Sequence, residues 1–182
     1  MKIFAETERF LLRELSIADA DGLYELDSDP EVHRYLGNHP VTDIQHILDV
    51  IQFVRQQYTD YGIGRWAVVD KRNQEFIGWA GLKFVTEPTN GMQHYYDLGY
   101  RLIRRYWGQG IATETAMASL QHAFSQLRTE EVFAAAHCEN AASNKVLQKV
   151  GFQLVNTFQD HENLTNWYRI TKPAFLLQTK KV

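Results

Sequence analysis

The chain has 182 residues, 45% of them hydrophobic and 23% charged, a composition typical of one globular domain. Lys and Arg number 19 against 22 Asp and Glu, and this net charge of -3 argues against a protein that coats nucleic acid. A single cysteine, Cys138, excludes an internal disulfide and makes the cytoplasm the simplest compartment. We see neither a secretory signal nor a membrane-spanning apolar run, so we expect residues 1–182 to form one domain without membrane contact.

The first 102 residues contain short helices and strands in alternation. Helix caps and helical spacing of apolar residues predict helices over 17–26 (N-cap Ser16), from Asp29-Pro30 onward, and over 44–58 (N-cap Thr42 or Asp43). Runs rich in β-branched and aromatic residues predict strands over 10–14, 65–69, 76–85 and 96–102.

The remaining residues predict a helix over 112–127, a strand over 132–138, a helix from Ser143 to the stop at Gly151, and strands over 152–158 and 167–171. We interpret Lys180-Lys181 as a frayed end. The order strand–helix–strand–helix–strand, preceded by antiparallel pieces, predicts an α/β protein with a mixed sheet and helices packed on it.

The most informative segment is the turn that carries Gly108 and Gly110, between a strand ending near Ile103 and a helix beginning near Ala112. Glycine permits a sharp turn and close approach, and the first amides of a helix lack partners and face the positive end of its dipole. Such a turn can bind a pyrophosphate, with Arg104 and Arg105 adding positive charge. The alternative is a surface turn in which the glycines serve geometry alone.

Two familiar phosphate motifs are absent from this turn. The nucleoside-triphosphate loop requires Lys followed by Ser or Thr after its second glycine, where Ile111 and Ala112 stand. The dinucleotide fingerprint requires a third glycine, where Thr113 stands. These absences make a nicotinamide-linked oxidoreductase a distant alternative for the function of this chain.

Another pattern fits the same residues. Segment 105–110, Arg-x-x-Gly-x-Gly, resembles the signature of the GNAT superfamily of acetyltransferases, and segment 107–114 resembles its branch of ribosomal-protein alanine acetyltransferases. Segment 140–152, Asn-x-x-Ser…Leu-x-x-x-Gly-Phe, resembles a helix of that family, at the correct spacing. Segments 7–13 and 29–36 look like the N-terminal strand and helix of the branch, so the resemblance covers roughly residues 7–172.

The resemblance implies a GNAT-like central mixed β-sheet flanked by helices, with splayed central strands. It implies acetyl-coenzyme A as co-substrate, no metal, and a homodimer as a plausible assembly. In the family the amides of the turn bind the pyrophosphate of the coenzyme, and its pantetheine arm pairs with strand backbone. The residues so implicated are Leu102, Ile103, Arg105, Trp107, Gly108, Gln109, Gly110, Ile111, Ala112, Thr113, Asn140 and Ser143.

The resemblance also implies catalytic residues. Ser143 would bind the coenzyme sulfur and protonate the leaving thiolate, although a serine in a first helical turn can simply satisfy local backbone. Many superfamily members use a Tyr four residues before the final glycine, where this chain has Leu147. Asn140 would contact cofactor or substrate, or else serve as an N-terminal turn residue. Glu162 matches the base proposed in related enzymes, and a polar solvated loop explains it equally well.

Other candidates stay open. Asp97 and His137 are further candidates for the base, and Gly99 could mark the irregularity that opens the central strands. Family members build the acceptor site from the regions that hold His33, Tyr35 and Trp66 here. The alternatives are an exposed helix position for His33 and sheet or core packing for the two aromatic residues.

The resemblance implies an N-acetyltransferase that moves an acetyl group from acetyl-coenzyme A to a primary amine by direct attack in a ternary complex. The acceptor could be a protein N-terminus or a small amine. The alternative from another class is a non-catalytic sensor or interaction protein of the same fold that binds acyl-coenzyme A, because Leu147 replaces the Tyr and the base is open.

Overall fold

The computed structural model describes residues 1–179, so Lys180 and Lys181 lie outside the described residues. Within that part of the chain the strands are β1 (Ile3–Glu6), β2 (Phe10–Glu14), β3 (Arg65–Asp70), β4 (Phe76–Val85), β5 (Tyr95–Leu102), β6 (Glu131–His137), β7 (Gln153–Asp160) and β8 (Asn163–Thr171). The α-helices are α1 (Ala20–Ser28), α2 (Pro30–His33), α3 (Ile44–Tyr61), α4 (Ile111–His122), α5 (Ala141–Lys149) and α6 (Lys172–Thr179).

All eight strands belong to one sheet, in the order β1-β2-β3-β4-β5-β6-β8-β7. The β5–β6 pair is parallel and the other neighbours are antiparallel. Apolar residues of α4, α5 and α6 pack on one face of the sheet, and those of α1 and α3 pack on the other. This arrangement confirms the predicted α/β class with a mixed sheet flanked by helices.

Most predicted elements are present, and five elements differ from the prediction. The helix predicted over 17–26 begins as a 3-10 turn, and α1 runs from Ala20 to Ser28. The helix predicted over 112–127 ends at His122 and continues as a π-helical turn. Strand β8 begins at Asn163, four residues before the prediction. Strand β1 and helix α6 were not predicted, because a four-residue and an eight-residue segment carry little periodic signal.

The central strands part, as the resemblance implies. The parallel ladder between β5 and β6 is formed at one pair, Asp97 with Phe133, whereas β5 pairs with β4 along its whole length. The Ile103 amide donates to the Ile77 carbonyl on the β4 side. Because backbone groups alternate in direction along a strand, those of Tyr100 and Leu102 face away from β4, toward the opening.

Candidate active site

The glycine turn forms an anion-binding arrangement at the start of α4. Gly108 and Gly110 have φ values of 74° and 77°, in the left-handed region that favours glycine. The first backbone bond that closes the helix runs from the Glu114 amide to the Gly110 carbonyl. Among residues 1–179, the amides of residues 108–113 donate no hydrogen bond. Six consecutive amides at the positive end of a helix dipole fit the pyrophosphate of coenzyme A.

Arg9, which the sequence analysis missed, holds this turn from the side. Its guanidinium donates to the Gln109 carbonyl at 3.1 Å and pairs with Glu114 at 2.6 Å. The space beside the glycines is open, because a Cβ built on Gly108 meets no atom within 4 Å and one built on Gly110 meets only the Arg9 guanidinium, at 3.7 Å. Arg9 therefore supports the turn without filling it.

Two residues predicted to contact the coenzyme are engaged differently. The Arg105 guanidinium pairs with Glu25 and with Glu75, the latter at 2.6 Å, so its charge is neutralised there and only its carbonyl joins the turn. The Trp107 indole donates to the Leu102 carbonyl at 2.8 Å. This hydrogen bond occupies one of the backbone groups that were predicted to pair with pantetheine. The predicted side-chain role of Arg105 is therefore not supported by the geometry.

A cavity of about 160 Å³ lies where β5 and β6 part, beneath the first turns of α5. It is lined by Arg65, Trp79, Asp97, Leu98, Gly99, Tyr100, Ala135, Ser143 and Leu147. Strand alternation places Leu98 and Tyr100 on the α4–α5 face of the sheet and Asp97 and Gly99 on the other. The cavity thus reaches through the sheet, and Ser143 stands on the α5 side.

Helix α5 presents Ser143 to the cavity. Asn140 is the N-cap, and its side-chain oxygen accepts from the Ser143 amide at 3.1 Å. The Ser143 hydroxyl lies 3.1 Å from the Tyr100 hydroxyl. Burial raises the pKa of Tyr100 to about 12, with the hydrogen bond to Ser143 acting in the opposite direction. Asn140 therefore orients Ser143 as a cap, the alternative that the sequence left open, and Tyr100 is an unforeseen neighbour.

Asn144, also unforeseen, attaches the start of α5 to the sheet. Its amide nitrogen donates to the carbonyls of His137 and Asn140 at 2.9 and 2.7 Å. Its oxygen accepts from Tyr168 and Asn166 at 2.6 and 2.9 Å. All hydrogen-bonding capacity of this buried amide is used, which fixes α5, and with it Ser143, against β6 and β8.

A buried ion pair forms the floor of the cavity. The Arg65 guanidinium contacts the Asp97 carboxylate and donates to the Gly81 and Asp97 carbonyls at 2.5 and 2.7 Å. Burial lowers the pKa of Arg65, and Asp97 opposes that shift. Since its carboxylate is held by Arg65, Asp97 is a poor candidate for the base.

Two of the three predicted acceptor residues lie near the α1 side of the opening. His33 is 8% exposed, not on an exposed helix face, and its Nε2 lies 3.7 Å from the Asp27 carboxylate. Desolvation and the nearby Arg101 lower the pKa of His33. The Tyr35 ring packs on the His137 ring, 5.3 Å between centroids, and so connects the α2 region to the end of β6.

The prediction that Trp66 contacts the acceptor is wrong in this geometry. Trp66 is fully buried, stacks on Phe4 at 4.9 Å, and belongs to the core on the α4 face. Side chains alternate along β3, so the neighbouring Arg65, not Trp66, points toward the cavity.

The predicted base, Glu162, is not among the residues that line the cavity. It is exposed in the turn between β7 and β8. His137 accepts from the Glu139 amide at 3.1 Å and packs against Tyr35. Neither residue is joined to Ser143 by a hydrogen bond in the described chain, so the base stays a prediction.

Residues 1–179 contain no helix with the length and apolarity to cross a bilayer. The same residues contain no group of three or more His, Cys, Asp and Glu side chains arranged to hold a metal ion.

Comparison with known proteins agrees with the fold. A family model described as an acetyltransferase (GNAT) domain matches residues 9–153. The uncharacterized N-acetyltransferase p20 of Bacillus licheniformis is 31% identical over 156 residues, which is 86% of this chain and 85% of p20. The uncharacterized N-acetyltransferase YoaA of Bacillus subtilis is 28% identical over 92% of this chain and 96% of its own length.

Solved structures share the fold at low identity. RimL, a ribosomal L7/L12 α-N-protein acetyltransferase in complex with coenzyme A, has a TM-score of 0.78 and 21% identity, covering 95% of this chain and 99% of RimL. Spermidine N-acetyltransferase of Vibrio cholerae, in complex with coenzyme A and spermine, has a TM-score of 0.74 and 16% identity, and the match covers 93% of this chain and 99% of that structure's chain.

The sheet, the turn of free amides and the cavity between parted strands define a transferase that uses an acyl-coenzyme A. The chain belongs to the GNAT acetyltransferase family. The predicted family and the predicted enzyme class, an acetyl-coenzyme-A-dependent N-acetyltransferase, are both confirmed.

Proposed function

We propose that this enzyme transfers the acetyl group of acetyl-coenzyme A directly to a primary amine within a ternary complex. The observation that carries the proposal is the row of free amides at 108–113, at the end of the strand that also lines the cavity beside Ser143. Residues 108–113 would bind the pyrophosphate, and the pantetheine arm would run past Leu102 and Ile103 toward Ser143.

The cavity would place the thioester between the parted strands. The Leu102 amide, which faces away from β4, is our candidate donor to the thioester oxygen as negative charge develops. Ser143 would donate its hydroxyl proton to the sulfur as the carbon–sulfur bond breaks. Glu162 is our candidate to accept a proton from the attacking amine, through a water or after movement of the β7–β8 turn.

The acceptor would enter from the side of His33 and Tyr35. The two carboxylates described at this opening, Asp27 and Asp97, are paired with Arg101 and Arg65. A polycation such as spermine would find those charges already neutralised. We therefore expect a protein N-terminus or a small monoamine to be a better acceptor.

The test is steady-state release of coenzyme A with a panel of amines that includes peptides, monoamines, aminoglycosides and polyamines. Turnover with at least one amine, and a higher kcat/KM for peptides or monoamines than for spermine, are expected. Binding of acetyl-coenzyme A by calorimetry without turnover on any amine would instead favour the non-catalytic sensor. Absence of binding would remove the proposed site.

We also propose that the chain acts as one domain in the cytoplasm and forms a homodimer. The outer strand β7 is exposed along most of its length, with Leu154 and Val155 more than half exposed, and a second copy is the partner that we expect there. Light scattering should give a molar mass of two chains for the wild type and of one chain for Val155→Lys. A monomeric wild type would refute the dimer without affecting the proposed chemistry.

A further inference from the structure

Two hydroxyl groups meet at the wall of the cavity. The Tyr100 hydroxyl on β5 lies 3.1 Å from the Ser143 carbonyl and 3.1 Å from the Ser143 hydroxyl on α5. The phenol carries one proton, so it donates either to the Ser143 carbonyl, with the serine hydroxyl free to donate to the phenol, or to the serine hydroxyl itself. Because the two distances are equal, rotation about the phenol C–O bond would redirect the proton from one acceptor to the other.

We propose that Tyr100 is a relay residue that gives a proton to Ser143 while Ser143 gives its own to the leaving thiolate. The proposal rests on the proposed acetyl transfer. The amine nitrogen bonds to the acetyl carbon, the carbon–sulfur bond breaks, and its electron pair goes to sulfur. Sulfur takes the Ser143 proton, Ser143 takes the Tyr100 proton, and the phenolate recovers a proton from solvent or from the one that the amine releases.

The composition of the cavity supports this assignment. Of its nine lining residues, Tyr100 and Ser143 alone carry a hydroxyl. Arg65 and Asp97 are bound to each other, and the remaining side chains hold no acidic proton except the Trp79 indole. Ser143 therefore has Tyr100 as its nearest source of a replacement proton.

The protonation state of Tyr100 suits the role. Burial raises the pKa of its phenol to about 12, so it is protonated at neutral pH. A phenol is still a stronger acid than the serine alcohol that it would reprotonate. Tyr168, the other tyrosine beside it, donates to Asn144 at 2.6 Å and so has no proton to give to Ser143.

The experiment compares Tyr100→Phe, Ser143→Ala and their double variant, with Tyr96→Phe as the control. Tyr96 lies on the same face of β5, packs on Phe84 and does not line the cavity. We expect Tyr100→Phe to lower kcat about tenfold and also to reduce the solvent deuterium isotope effect on kcat. The Kd of acetyl-coenzyme A should stay within about twofold of the wild-type value. The double variant should be no slower than Ser143→Ala, because both residues act in one path.

Rescue shows whether the hydroxyl of Tyr100, which Tyr100→Phe removes, is the group that matters. Tyr100→3-fluorotyrosine keeps the ring and the hydroxyl and should restore at least half of kcat, which also covers the case in which Tyr100→Phe folds poorly. Unchanged kcat in Tyr100→Phe, independent losses that multiply in the double variant, or no rescue would each overturn the relay. A wild type that acetylates no amine would overturn the proposed function, whereas an active wild type indifferent to Tyr100→Phe would overturn the relay alone.

Discussion

Arg65 passes over Gly99 to reach Asp97, so that a buried ion pair holds the strand beside the cavity. A Cβ built on Gly99 would stand 2.7 Å from the Arg65 guanidinium, so a larger residue there would push the guanidinium away from its present position beside Asp97. Gly99 was predicted to mark an irregularity that opens the strands. In the structure it is instead the place where a charged side chain crosses the strand in close contact.

Breaking this pair should destabilise the fold. Asp97→Asn leaves Arg65 buried with an uncompensated charge, and we expect a loss of about 3 kcal/mol in the free energy of unfolding. The double variant Arg65→Met with Asp97→Leu should recover most of that loss. Urea denaturation measures both, and Glu6→Gln, which breaks the exposed pair with Lys71, is the control and should cost under about 1 kcal/mol. A loss as small in Asp97→Asn would contradict the role of the pair.

Gly110→Asp should weaken the binding of acetyl-coenzyme A. A carboxylate would enter the row of free amides, and a Cβ would be forced onto a backbone with φ of 77°. We expect the Kd to rise about tenfold or more by calorimetry, equivalent to at least about 1.4 kcal/mol. Gly110→Asn tolerates the same backbone without the charge and should bind more tightly than Gly110→Asp. Wild-type affinity in Gly110→Asp would show that the coenzyme does not use this turn.

Glu162→Gln tests the predicted base. If the carboxylate accepts the proton of the amine, kcat/KM should fall about a hundredfold near neutral pH and recover partly at high pH, where more of the amine is uncharged. The Kd of acetyl-coenzyme A should not change. Glu130→Gln, an exposed glutamate remote from the cavity, is the matched control. Equal pH profiles for wild type and Glu162→Gln would assign Glu162 to the solvated loop.

His122 should make the protein less stable in mild acid. Its Nδ1 lies 3.0 Å from the Phe4 carbonyl and therefore carries the proton that it donates, while burial lowers the pKa of the ring. In the unfolded chain the pKa of His122 is about 6.5, above its pKa in the folded protein, so the unfolded chain binds the proton more strongly. The contribution of His122 to the free energy of unfolding is therefore full above about pH 6.5 and falls as the pH drops from about 6.5 toward the lower pKa of the folded state.

The melting temperature between pH 8 and pH 5 checks this expectation. His122→Asn should flatten the fall on the acid side, and His46→Asn, at an exposed position of α3, should leave it unchanged. His33, whose pKa is also lowered, accounts for part of the remaining slope. Equal slopes in wild type and His122→Asn would contradict the assignment.

The elements that the sequence predicted are those whose signal is local. Helix α3 has its cap at Asp43 and its stop at Gly62, and strands β3, β4 and β5 consist of runs rich in β-branched and aromatic residues. The turn at Gly108 and Gly110 was predicted as a phosphate site because its evidence lies within a few neighbouring residues.

The side chains that meet across elements could not be predicted in this way. Tyr100 and Ser143 are 43 residues apart, and alternation in β5 could place Tyr100 on a buried face without naming its neighbour. A strand turns successive residues to opposite faces, and the sequence does not say which face holds the cavity, so it could not distinguish Arg65 from Trp66 as the lining residue.

The sequence by itself determined the family, the mixed sheet and the glycine turn, because these depend on local backbone preference and on the order of short motifs. Only the tertiary structure decided that Asn140 and Asn144 orient Ser143, that Arg105 pairs with Glu75, and that a phenol stands behind the serine. Those contacts depend on how far β5 and β6 part and how α5 packs over them, and no spacing along the chain specifies either.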